Sequence, residues 1–108
     1  MTKTVSIGEI YSRTSYYYGI WNFFYKVIDV SPSGKTFTLR RLRVHRDYSD
    51  YPYNTMGSEV PDLNDFMNDE LIRGKYSKSG NPCVKGKDDK YHSLDLWTGG
   101  ALEFDHNT

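Results

Sequence analysis

Residues 21–44 constrain the fold more than any other stretch: WNFFYKVIDV, then SPSGK, then TFTLRRLRV. Residues 21–30 carry aromatic and β-branched side chains at nearly every position, which is the composition of a strand. Alternation puts Trp21, Phe23, Tyr25 and Val27 on one face and Phe24, Ile28 and Val30 on the other. Both faces are largely apolar, so this strand is expected at the centre, covered on both sides, with Lys26 and Asp29 near a mouth or edge. In residues 31–35, Pro32 presets φ and Gly34 accepts a positive φ, which together make a turn. Beyond it Phe37 and Leu39 share a face, but Leu42 and Val44 lie on the opposite one. Either a β-bulge at Arg40-Arg41 switches the faces, or the second half of the strand crosses to another sheet.

A chain of 108 residues fits one domain, 1–108, with a modest core. Its apolar content of 37% is low and its aromatic content of 16% is high, so the core is expected to rest on a few large rings. Phe24, Tyr25, Val27, Phe37, Leu39, Leu96 and Trp97 are the predicted core. Ten tyrosines are more than such a core holds, which leaves several rings half out at a surface. No apolar run reaches the ~20 residues of a membrane span, and MTKTVSIGEI lacks a signal-peptide pattern, so a cytoplasmic protein with no membrane partner is expected. Cys83 is the single cysteine, which excludes an internal disulfide and suggests a passive thiol.

Charge is balanced overall but segregated along the chain. Residues 1–46 carry a net +6 and residues 47–72 a net −7, the latter without a single lysine or arginine. Such a chain is expected to present an acidic surface on one side and a basic one elsewhere. The basic stretch holds Lys35, Arg40, Arg41, Arg43 and Arg46 near Phe37 and several tyrosines. Cations beside aromatic platforms suit single-stranded nucleic acid, and the competing reading is a solvated strand face. The acidic stretch, residues 47–70, holds Asp47, Asp50, Glu59, Asp62, Asp65, Asp69 and Glu70 together with Tyr48, Tyr51 and Tyr53. Pro52, Gly57 and Pro61 mark it as a long loop, with a short helical turn over 62–71 capped by Asp62. It would present spaced carboxylates to a basic partner groove in place of phosphates.

The remaining elements are shorter. Residues 7–11 read as a first strand laid along the main hairpin, and residues 12–19, with Tyr16, Tyr17 and Tyr18, as the first loop. Residues 71–78 and 83–87 suggest two more strands. Residues 91–97 alternate well and would form a second hairpin with 101–105 around Thr98-Gly99-Gly100. Gly34-Lys35-Thr36 lacks the upstream glycine and following helix of a phosphate loop. His92, Asp95, Asp105 and His106 lack metal-site spacing, and no catalytic set stands out, so neither metal, cofactor nor enzymatic activity is expected.

Gly8-Glu9-Ile10-Tyr11, Phe24-Tyr25-x-Val27, Gly34-Lys35-Thr36, Leu39-Arg40, Pro61-Asp62-x-Asn64-x-Phe66 and Trp97-x-Gly99 resemble, in order and spacing, a group of small proteins of bacteriophages, plasmids and other mobile elements. The first loop departs from that pattern, with SRTSYYYGIWN where SWGYDQTN is expected. The resemblance implies a bacterial host-cell setting and inhibitors of host defence, anti-CRISPR proteins among them; it transfers no catalytic residue. The expected protein is an all-β, partly open barrel of five to seven strands, SH3-like or OB-like, with one long acidic loop. Its expected role is to bind and inhibit a host nucleic-acid-handling enzyme, a CRISPR-Cas effector for instance, through residues 47–70, as a monomer or small homo-oligomer. The alternative role is direct nucleic-acid binding through Lys35, Arg40, Arg41, Arg43 and Arg46.

Overall fold

The computed structural model describes residues 4–16, 19–48, 56–86 and 88–106. Nine strands and no helix occur among them: β1 (Ile10–Ser15), β2 (Trp21–Val30), β3 (Thr36–Tyr48), β4 (Met56–Phe66), β5 (Ile72–Tyr76), β6 (Pro82–Lys85), β7 (Tyr91–Ser93), β8 (Asp95–Leu96) and β9 (Leu102–Asp105). The fold is the expected all-β, partly open barrel, with more strands than the five to seven anticipated. Among the described residues no helix is long and apolar enough to cross a membrane.

The central hairpin forms as its composition dictates. β2 and β3 pair antiparallel around the turn, where Gly34 takes φ +73° and donates to the Ser31 carbonyl. β1 lies along β2 from Ile10 to Ser15, later than expected, because Gly8 turns the chain at φ +95° and the pairing consumes half of the expected first loop. The main sheet runs β7-β6-β5-β3-β2-β1-β8. β7 pairs with β6, and β8, beginning two residues after β7 ends, pairs with β1, so the sheet curls almost shut and leaves one unsealed seam. Leu94, between the two, is buried and donates its N–H to the Pro82 carbonyl. This use of both edges replaces the expected second hairpin: β8 turns to β1 and β9 to β4, so neither partners the other. Leu96 is consequently exposed and Trp97 half-buried, outside the core expected for them.

The face switch in β3 has the second of its two expected causes. Pairing of β3 with β2 is regular across Arg40 and Arg41, and the bulge lies instead in β2, between Val27 and Asp29. The first part of β3, from Thr36 to Leu39, pairs with β5 in the main sheet, and from Leu42 onward the strand pairs with β4 in a second one. β9 extends that second sheet and bridges back through Asp105 to Ile20 at the start of β2. The molecule is elongated, 51 × 28 × 27 Å, because β2 and β3 each serve two cores.

Inside the barrel, Val5, Tyr11, Tyr25, Val27, Phe37, Leu39, Val84 and Leu94 pack together. Gly74 faces Phe37 across β3–β5, and a Cβ there would strike the ring, so the sheet needs glycine at that point. On the opposite face of β2 and β3, Phe24 and Leu42 are completely buried, as are Phe104 and Glu59 in the second sheet. A polar pin links the two regions: Thr14 donates to Asn22 Oδ1, and Asn22 Nδ2 donates to the Glu103 carbonyl at 2.7 Å.

Candidate functional site

The two charged stretches of the sequence meet as facing strands. The expected long loop is mostly β4, and the expected helical turn over 62–71 is its C-terminal half and the turn that follows. Strand pairing wins here because the apolar side of β3 beyond Leu42 needs a partner, and β4 supplies the buried Pro61. Arg46 lies directly across from Glu59, with Nε 3.0 Å from Oε2. His45 Nε2 is 3.1 Å from Asp62, Arg43 Nε is 3.4 Å from Asp65, and Arg40 reaches Asp69 at 3.1 Å. Arg40 also donates to the Asn68 carbonyl and lies 3.9 Å above the Phe66 ring.

The expected separation into an acidic and a basic surface is thereby corrected: four of the carboxylates are matched to β3 cations or a histidine across one hairpin. Glu59 is buried and faces inward, where the charge–hydrogen-bond contact with Arg46 helps to raise that guanidinium's pKa. Asp50, Tyr51 and Tyr53 lie outside the described residues, as do Tyr17 and Tyr18. Glu70 belongs to the wall of a different cavity, described below. Of the expected acidic contact set, Asp47 and Tyr48 stand at the Tyr48–Met56 end of the hairpin, both exposed.

There they line an open groove of about 420 Å³. Its apolar part comes from Ile20, Tyr48, Met56 and Phe104, and its charged part from Asp47, Glu103 and Asp105. Among the described residues no lysine or arginine lines it. Tyr48 packs edge-on against Phe104 at 5.4 Å while remaining 49% exposed, and Met56 is 45% exposed. Behind Phe104, His106 stacks on Trp21 at 3.8 Å; burial, with Arg46 nearby, holds its imidazole below the usual histidine range.

The expected basic stripe also dissolves. Lys35 is exposed in the turn at the far end of β3, and Arg40, Arg43 and Arg46 are engaged across the hairpin. Arg41 enters the mouth of the barrel instead. It lines a cavity of about 520 Å³ with Arg13, Lys85, Asn68, Glu70 and Asp88 around an apolar part formed by Phe23, Tyr25, Ile72 and Val84. Burial raises the pKa of the Tyr25 hydroxyl, and Arg13 and Arg41 oppose that rise.

Ile20, Met56 and Glu103 at the groove, and Arg13 at the mouth, escaped sequence reasoning. Arg13 had a usable signal, two residues beyond the inward Tyr11, but only if the first strand is carried past residue 11. Glu103 and Met56 had none, since the β4–β9 pairing joins segments more than forty residues apart. Among the described residues, no three His, Cys, Asp or Glu side chains converge to hold a metal ion. No family model matches the chain, and neither a curated protein nor a solved structure matches it.

Proposed function

We propose that the protein is a non-enzymatic binding protein that docks a basic host protein at the Tyr48–Met56 end of the β3–β4 hairpin. One observation carries the reading: the groove combines exposed Tyr48 and Met56 with Asp47, Glu103 and Asp105, and among the described residues no lysine or arginine lines it. Aromatic and methionine side chains are enriched at protein interfaces and supply the buried anchor, while unlike charge steers the encounter. Enzymes that handle nucleic acids line their substrate channels with arginine and lysine, the complement of such a groove. The resemblance to mobile-element proteins directs the proposal to a bacterial host-defence enzyme of the CRISPR-effector kind, inhibited in the cytoplasm. Direct nucleic-acid binding along β3 has less support, because three of its five arginines and lysines are occupied by β4 and its adjoining turn.

The test is binding and inhibition of purified CRISPR effectors by the parent and by Asp47→Lys/Glu103→Lys and Tyr48→Ala. The charge reversal should slow association about tenfold or more at low salt and flatten its salt dependence, and Tyr48→Ala should mainly speed dissociation. Inhibition that survives both changes in folded protein would remove the groove as the docking surface.

A further inference from the structure

We infer that the barrel mouth is a second binding site, for a phosphate monoester carried on an amino-bearing nucleobase. Two guanidiniums converge there on one ring: Arg13 Cζ is 5.0 Å and Arg41 Cζ 4.7 Å from the Phe23 centroid. The ring's negative face holds each cation in place, yet it neutralises neither. Among the described residues neither arginine has a carboxylate within ion-pair distance, in contrast to Arg40, Arg43 and Arg46. Both like charges line one cavity on a half-buried surface, and an anion within reach of both relieves their repulsion. A guanidinium presents a planar fork of donors that matches phosphate oxygens, so two forks lining one cavity supply a phosphate clamp.

The rest of the cavity describes the remainder of the ligand. Its volume, about 520 Å³, lies within the ~300–1,000 Å³ of small-molecule sites. Phe23, Tyr25, Ile72 and Val84 offer an apolar wall for a flat ring. Asp88 is turned to His92 at 3.1 Å, Lys85 to Asp89 at 3.5 Å, and Asn68 Oδ1 accepts from the Glu70 N–H at 2.9 Å, which leaves the Glu70 carboxylate and Asn68 Nδ2 to meet polar groups of the ligand. A carboxylate that accepts from an exocyclic amine, beside an amide NH2 that donates to a ring nitrogen, suits adenine or cytosine rather than a second phosphate. The site is separate from the groove at the hairpin's end and does not depend on the function proposed for it.

Calorimetric titration of the full chain with AMP, adenosine and inorganic phosphate tests the inference. AMP should bind 1:1 with Kd in the range of about 1 μM to 1 mM, and adenosine and phosphate each about tenfold or more weaker. Arg13→Gln and Arg41→Gln should each weaken AMP about ten- to a hundredfold, the loss expected for one charge-assisted contact, and Lys35→Gln should leave it unchanged. A 5′-phosphorylated tetra-adenylate that binds like AMP, while its unphosphorylated form does not, identifies a strand end as the source; binding of AMP alone identifies the free nucleotide. In the parent protein the Ile72 and Val84 methyl resonances should shift on AMP addition, a readout independent of how the variants fold. Saturation by neither AMP nor the phosphorylated strand below about 5 mM, or saturation that leaves both methyls unmoved, overturns the inference.

Discussion

Glu59 is the residue whose environment differs most from its place in the sequence. It sits among solvated-looking neighbours, yet it is 1% exposed, with Oε2 held by Arg46 and Oε1 without a hydrogen-bond partner among the described residues. A buried carboxylate with one cation is costly to disturb from either side, because removal of the partner strands a charge out of water. Arg46→Gln should therefore cost about 3 kcal/mol in urea denaturation, although Arg46 itself is partly open to solvent. The double replacement Arg46→Met/Glu59→Leu should recover most of that loss, since apolar groups of similar volume remove the desolvation penalty together with the pair. An Arg46→Gln protein as stable as the parent would mean that water reaches Glu59 in solution.

At the scale of the element, β3 is the organising strand. Its inward residues Phe37 and Leu39 serve the barrel core, Leu42 serves the second sheet, and its cations face the carboxylates of β4 and the turn beyond. Asp62 and Asp65 therefore act within the fold before they act on any partner. Reversal of both to lysine should place a like charge opposite Arg43, remove the Asp62 partner of His45, and destabilise the hairpin by about 1–2 kcal/mol at low salt, as exposed pairs are worth ~0–1 kcal/mol each and like charges oppose pairing. The loss should shrink near 1 M salt, where screening falls to about 3 Å. Equal urea midpoints for variant and parent at low salt would show that these pairs are not formed in solution. A binding defect in that variant would then report a changed hairpin as well as a changed surface.

Across the whole molecule, the two long strands make the two cores one cooperative unit. Phe24 and Tyr25 are neighbours in sequence but point into different cores, and both are buried. Loss of either core leaves β2 and β3 with one uncovered apolar face, so the two regions should unfold together. Phe24→Ala and Phe37→Ala should each cost about 3–5 kcal/mol and move one shared transition, seen alike by circular dichroism and tryptophan fluorescence. Separate transitions for the two probes would show that the sheets are thermodynamically independent.

The hairpin of β2 and β3, its turn, and the burial of Phe24, Tyr25, Val27, Phe37 and Leu39 were legible in the sequence, because alternation and turn chemistry are local and act before any distant partner arrives. The all-β class followed from the same local signals. The fates of 47–70 and 91–105 were not legible. Glycines, prolines and carboxylates weaken strand propensity in β4, and only a facing apolar and cationic strand overrides it. Likewise, 91–96 alternates as a hairpin arm would, but its two halves pair with the sheet edges β6 and β1 instead of with 102–105. The candidate sites lie on the same divide: charge was readable as a tally along the chain, while the pairing of Arg46 with Glu59 and the isolation of Arg13 with Arg41 arise from register. Register is a property of two strands together, and that is why tertiary structure alone decided which charges face an opposite charge and which do not.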